Sequence, residues 1–340
     1  MVIFFYSMWI ILSILQFTIP IKSICISQLT VSSSLLSTKS NFNFDSFYEK
    51  YKSIVGKSPC FNHNWLTWFI GFTEGDGSFI ITKRGDLHLV IVQDTRDIQV
   101  LYMIQKTLAF GKVIKQGKTT SRFIVQDKKG LYLLCLLFNG NIVTKRRAIS
   151  FKKFLLAFNK YSNKGIIRLE SIDFQDSMVK PTKEDSWISG FVVPPLPPPG
   201  GRGGDQRGPT GDPPPDSEGC FYVGLSGKTN KYNISFDLSQ QASLVKNEES
   251  GLELLVDTFK VGKITKHSLG TDVYSYRVSG LSNTSYLFSY FDTHKLRSKK
   301  LKSYLLWREL HAKLTNKEHL DSTLRPSLKI LASKVNNTWD

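Results

Sequence analysis

Acidic residues are in short supply in this chain. Its 340 residues hold 28 Asp and Glu against 45 Lys and Arg, a formal charge of +17. A protein this basic repels itself until it meets a polyanion, so nucleic acid or an anionic membrane is the expected partner. Cysteine is scarce as well. Cys25, Cys60, Cys135 and Cys220 lie far apart without a CxxC pair, and the six histidines show no HxxxH or Cys/His zinc spacing. The thiols read as reduced and structural, and no zinc site is implied. Charge is absent from the first 21 residues, "MVIFFYSMWIILSILQFTIPI". That run is long enough to span a bilayer or to serve as a secretory core, although the usual basic lead is missing. A lysine-rich remainder without paired cysteines argues against secretion. A translated remnant of an upstream exon is a third origin.

Hydrophobic residues make up 41% of the chain, enough for two ordinary domains or one duplicated core. Residues 1–60 read as the apolar segment followed by a poorly ordered Ser/Asn-rich lead-in. From Asn64 the pattern sharpens. "WLTWFIGFTEG" has helical spacing, and "SFIITK" and "LHLVIVQ" read as strands around an "RGD" hairpin. "DIQVLYMIQKTL" reads as helix, "GKVIKQ" and "SRFIVQ" as strands, and "KGLYLLCLLF" and "TKRRAISFKKFLLAF" as helices. The order αββαββα then recurs from "WISGF" onward. "FGKVIKQ" finds its twin in "VGKITKH", and "TKRR" in "SKKL". Such a repeat predicts two like subdomains about a pseudo-two-fold axis.

The repeat also exposes an insertion. Gly71 and Gly190 are 119 apart, whereas Glu74 and Asp216 are 142 apart, and the 23 extra residues are Val193–Pro215. Nine of the chain's 13 prolines fall there, with six glycines. Proline costs a helix interior about 3 kcal/mol, so the second helix must stop after Val192. Three outcomes are open. The segment bulges out between fragments that still dock, or it disables the second motif, or it is missing from the mature product.

With that segment set aside, "FIGFTEGDG" and "ISGFV…DSEG" resemble the paired motifs of LAGLIDADG homing endonucleases and related intron maturases, over roughly residues 64–320. The resemblance implies an α+β fold of two pseudo-symmetric αββαββα subdomains whose sheets form a DNA-binding saddle. Expected boundaries are 61–165, a linker at 166–185, 186–320 with the interruption at 193–215, and a C-terminal tail at 321–340. Gly71 and Gly190 would let the motif helices meet closely. Asp76 and Glu218 would face each other, and two close carboxylates call for a cation, most simply Mg²⁺. The family pattern adds metal contacts from the backbone of Gly75 and Ser217. It gives Glu74 and Asp216 a helix-end role.

By the same resemblance, Gln93 and Gln240 would order water near the metals, the alternative being solvent-facing strand ends. Lys145 and Lys299 would stabilise phosphate charge, with Lys300 an alternative to Lys299. Strand residues would meet DNA, with Lys83, Arg84, Lys112, Lys115, Arg122, Lys228, Lys231, Lys263, Lys266 and Arg277 as candidates. The implied activity is metal-dependent, site-specific double-strand DNA cleavage by a monomer encoded in an organellar intron, residing in the mitochondrial matrix. Two other readings stand beside it. One is an RNA maturase assisting its host intron, with degenerate nuclease activity. The other is a basic protein held at a membrane through residues 2–19.

Overall fold

The structure, a computed structural model, describes residues 41–192, 218–226, 229–241, 251–266 and 273–335. The apolar leader and the whole proline-rich insertion, with Asp216 and Ser217, lie outside these residues, as does Lys228.

The first half begins with α1 (Asp45–Val55) and α2 (His63–Asp76). Two strands follow, β1 (Gly77–Ile81) and β2 (Leu87–Asp94), and after a 3-10 turn comes α3 (Ile98–Leu108). The half closes with β3 (Lys112–Gln116), β4 (Thr120–Val125), α4 (Lys128–Phe138) and α5 (Lys145–Ser162). Its sheet is antiparallel in the order β1-β2-β4-β3. The second half repeats the plan with α6 (Trp187–Phe191), β5 (Glu218–Leu225), β6 (Tyr232–Gln241), α7 (Glu253–Phe259), β7 (Lys263–Lys266) and β8 (Val273–Ser279). Its sheet runs β5-β6-β8-β7, the same topology. Three helices complete it: α8 (Leu281–Ser285), α9 (Phe288–Thr293) and the long α10 (Lys300–Thr315). Residues 281–293 are thus divided between two short helices.

Local chemistry explains the elements. Asn62 caps α2 by accepting from Trp65 N at 2.9 Å, and Asp127 caps α4 by accepting from Gly130 N at 2.7 Å. The expected hairpin forms at Thr82–Asp86, where Gly85 takes φ +91° and its N–H reaches Thr82 O at 2.9 Å. One face of each sheet is apolar and lies on helices. Phe79, Leu89, Ile91 and Phe123 join the core in the first half, and Phe221, Phe236 and Val278 do so in the second.

Two expectations need correction. Residues 41–60 are not a loose lead-in, because α1 drops Phe47 and Tyr51 into the core and packs against α4. Tyr51 Oη donates to Leu108 O at 3.0 Å. Burying two such aromatics contributes about 1.5–3 kcal/mol each, which overrides the Ser/Asn-rich flanks. At the other end, residues 325–334 form α11 (Arg325–Lys334) rather than a tail. It packs on β5 and α10, with the Arg325 guanidinium donating to His319 O at 2.6 Å and Ser226 O at 2.8 Å.

Candidate active site

The two motif helices, α2 and α6, lie against each other backbone to backbone. A Cβ placed on Gly71 would sit 2.9 Å from Trp187 C and 3.1 Å from Phe191 N, with Trp187 O nearer still. Placed on Gly190, it would sit 2.7 Å from Phe72 N and 3.0 Å from Trp68 C. The contact is reciprocal, as a pseudo-two-fold requires. The aromatic neighbours repeat too. Trp68 stacks on Phe72 with centroids 4.9 Å apart, and Trp187 on Phe191 at 4.5 Å. The sequence reading of Gly71 and Gly190 thus corresponds to a physical seam.

At the end of α2, Glu74 is fully engaged. Its carboxylate accepts from Val143 N at 3.0 Å, Thr144 N at 2.7 Å and Thr144 Oγ1 at 2.6 Å, and from Trp187 Nε1 across the seam at 2.9 Å. It therefore caps α5 from outside and ties the two motif helices together. Burial pushes its carboxyl above the ordinary range, against the pull of those hydrogen bonds, Thr144 first. Arg147, only 6% exposed, donates Nε to Glu74 O at 2.9 Å and an Nη to Gly75 O at 3.4 Å. Sequence reasoning missed Arg147, because inside "TKRR" nothing separates a buried arginine from exposed lysines.

Asp76 follows at the helix terminus, nearly buried, and accepts a hydrogen bond on Oδ2 from the Gln93 amide. Gln93 ends β2 on the same face as Leu89 and Ile91, so strand parity aims it at the helix end instead of at solvent. In the second half α6 stops at Phe191, as the prolines demand, yet β5 resumes in the matching register. Gly77 pairs with Ile91 and Gly219 with Leu238, their counterparts in the repeat. The backbone of Glu218 is therefore set by the strand, opposite Ser239, rather than by the interrupted helix. Its side chain, like Ser217, lies outside the described residues.

The lysine-bearing helix starts cross to the opposite half. Lys145 opens α5 exposed to solvent. Next to it, Gly251 separates Thr144 from Gln240: a Cβ there would lie 3.4 Å from Thr144 Cγ2 and 3.7 Å from Gln240 Oε1. Gln240 is buried, and its Oε1 has no hydrogen-bond partner among the described residues. On the other side, Lys299 N donates to both Asp97 oxygens, at 3.2 and 3.1 Å. Burial, then the Lys300 charge, lowers the Lys299 amine to about 8, while Asp97 and Asp94 pull it up. Burial raises Asp97 to about 6 in spite of Lys299.

The two lysines are not packing equivalents. Phe151 and Phe154 of α5 meet Phe79 at 5.3 and 5.4 Å, and Tyr304 and Trp307 of α10 meet Phe221 at 5.5 and 5.1 Å. Counting back from those contacts puts Lys300 where Arg147 stands, both of them buried, and Lys299 where Arg146 stands.

The nucleic-acid candidates divide by strand parity. Arg122 and Lys112 share the outer sheet face in the first half, as do Arg277 and Lys263 in the second, where Arg277 is ion-paired with Asp237. Lys83 and Arg84 sit exposed in the β1–β2 turn, and Lys231 is exposed just before β6. Lys115 and Lys266 need correction. They alternate with outer-face positions, and Lys266 Nζ lies 5.7 Å from the Tyr274 ring on the helix-facing side.

A duplicated unit whose lead helices meet at glycines, each followed by an acid where the strands begin, defines a two-motif single-chain class. The family profile described as LAGLIDADG endonuclease matches residues 69–158 and 215–311, more than half of the chain, and the chain belongs to that family. It is 33% identical over 293 residues to "Probable intron-encoded endonuclease 4" of Neurospora crassa, covering 84% of this chain and 46% of that protein. It is 30% identical over 130 residues to "Intron-encoded RNA maturase bI4" of Saccharomyces cerevisiae, covering 38% of this chain and 18% of that one. The chain thus spans less than half the length of these curated relatives. The solved structure of I-SmaMI bound to uncleaved DNA target in the presence of calcium ions shares the fold, with a TM-score of 0.58 at 19% identity, over 80% of this chain and 98% of that one.

Proposed function

We propose that this chain is a site-specific, metal-dependent double-strand DNA endonuclease encoded in an organellar intron and acting as a monomer in the mitochondrial matrix. The observation that carries the reading is the reciprocal seam at Gly71 and Gly190, where the lead helices of the two acid-bearing motifs meet. The relatives named as intron-encoded endonucleases support it.

The donor set suits a hard divalent ion, most simply Mg²⁺. It is all oxygen, and the buried Gln240 Oε1 has no partner among the described residues. Asp76 and Glu218 would hold the ion, with the carbonyls of Gly75 and Ser217. When bound, such an ion activates water and offsets charge on the leaving oxygen. The chain's own residues do the rest. Gln93 fixes the orientation of the Asp76 carboxylate through its amide. Arg147 holds the Glu74 and Gly75 carbonyls, so the turn that presents Asp76 is braced from α5. Lys145 and Lys299 place positive charge beside the scissile phosphates. The outer faces of the two sheets contact the duplex, with Lys112, Arg122, Lys263 and Arg277 among the cations there.

The test uses DNA spanning the joined exons that flank the host intron, with Mg²⁺. The full chain is expected to cut it, and Asp76→Asn to bind without cutting. A companion protein lacking Val193–Pro215 separates a poor motif from a wrong reading, since failure of both proteins to cut would overturn the proposal. A second reading, assistance to intron splicing, is favoured by the similarity to the maturase. In that case Asp76→Asn leaves splicing intact.

A further inference from the structure

The outer faces of the two sheets carry different chemistry. In the first sheet, register puts Ile80, Val90, Val92, Ile114 and Ile124 on the face turned away from the helices, with Val90 directly opposite Ile124. None of the five belongs to the hydrophobic core or packs against it. Val90 and Ile124 are nonetheless only 4% and 3% exposed, while Ile114 is 40% exposed. Five branched aliphatics on an outward face form an apolar strip that water alone does not reward. Its border is cationic: Lys112 is paired with Ile124, and Arg122 is paired with both Val92 and Ile114.

The corresponding face of the second sheet is mainly polar, Cys220 and Tyr222 apart. Asn233, Ser235, Asp237, Ser239 and Ser275 occupy it. Several are already oriented by one another. Ser235 Oγ donates to Asp237 Oδ2 at 2.8 Å, the Ser239 and Ser275 hydroxyls lie 2.8 Å apart, and Asp237 pairs with Arg277.

A strand ribbon in the major groove meets base edges that are all polar except for the thymine C5-methyl. An aliphatic strip edged by arginine and lysine matches that methyl, with phosphates on either side. Hydroxyls, an amide and an ion-paired arginine match donors and acceptors instead. We propose that the two sheets read their half-sites by different chemistry, the first through thymine methyl groups and the second through hydrogen bonds. The inference rests on the reading of this chain as a double-strand DNA endonuclease.

The experiment starts with the full chain and a randomised duplex, in the presence of calcium ions, to select a bound sequence. Thymines of the selected site are then replaced by deoxyuridine, which lacks only the methyl, one half-site at a time. Affinity is expected to fall about fourfold per contacted methyl in one half-site and to hold in the other. Ile114→Ser and Val92→Ser should each weaken that sensitivity, with thermal melting used to check that the variants fold. Equal losses in both half-sites, no loss in either, or a loss that survives both substitutions overturns the inference. So does self-association of the chain that Ile114→Ser abolishes. If no sequence is enriched at all, the DNA-binding reading fails first, an outcome distinct from the others.

Discussion

Replacing Gly71 by Ala sets two effects of opposite sign against each other. In an isolated helix Ala is favoured over Gly by about 1 kcal/mol. In the seam, the added methyl would lie 2.9 Å from Trp187 C and 3.1 Å from Phe191 N, closer than carbon tolerates. Both opposing atoms are helix backbone, which cannot rotate out of the way. The helices must separate, and the bonds that cross the seam stretch with them, Trp187 Nε1 to Glu74 at 2.9 Å and Ser186 N to Thr67 Oγ1 at 3.3 Å. Overpacking typically costs about 1–3 kcal/mol, and an unyielding partner puts this site at the upper end. Net destabilisation of about 2 kcal/mol is expected, a large share of the ~5–15 kcal/mol that holds an ordinary domain together. Urea denaturation reads it as a lower midpoint at an unchanged slope. Gly190→Ala should cost a similar amount, and the double variant less than the sum, because one separation relieves both clashes. A Gly71→Ala protein as stable as its parent, or more so, would mean that propensity wins and that the helices do not touch here.

Two further outcomes follow from groups at the ends of the seam. Glu74→Gln puts an amide N–H₂ among four donors, so at least one hydrogen bond is lost and one donor is stranded. A loss of about 1–3 kcal/mol is expected in a thermal melt, and an unchanged midpoint would refute the capping role. The Lys299 amine, lowered to about 8 from the ordinary 10.5, loses its proton in the folded protein before it does in the unfolded chain. The unfolded state therefore binds more protons between those two values, so this group makes stability rise with pH across that window. Lys299→Met should flatten the rise relative to the parent in denaturation at pH 7.5 and pH 10. Identical slopes would show that Lys299 is not held in a desolvated site.

The duplication was legible because its strongest signals are local. "WFIGF" and "WISGF" repeat the Trp–Phe stacks as well as the glycine, and "FGKV" and "VGKI" repeat a turn whose Gly111 and Gly262 take φ +81° and +92°. A side chain forbidden at such angles leaves glycine as a readable mark. The interruption was legible for the same reason, since proline chemistry acts within a few residues. Face assignment was not. "LHLVIVQD" is nearly continuous apolar sequence, so it hides the alternation that puts Leu89 in the core and Val90 on the outer face. Lys115 and Lys266 were misplaced for want of that parity. The cross-half partners were beyond reach as well. Asp97 meets Lys299 from 202 residues away, and nothing in "DTRDIQ" marks its second acid as the cap of a distant helix.

Divergence between the halves follows what each surface must touch. At the seam the molecule packs against itself, so a change in one motif has to suit the other, and glycine faces glycine with matched Trp–Phe stacks on either side. One layer outward that reciprocity is gone. Arg147 reaches the carbonyls of its own motif helix, while Lys300 occupies the same packing place in α10 as a shorter-armed cation. The α5 start is capped by Glu74 of its own half, and Lys299, at the α10 start, by Asp97 of the opposite half. The surroundings of the two motifs are therefore unequal. Lys145 is exposed while Lys299 is half-buried with its amine lowered to about 8, so an anion placed beside each would feel unequal fields. The outer sheet faces differ too, one being aliphatic and the other serine-rich. Symmetry is kept where the chain is its own partner and relaxed where the partner is something else.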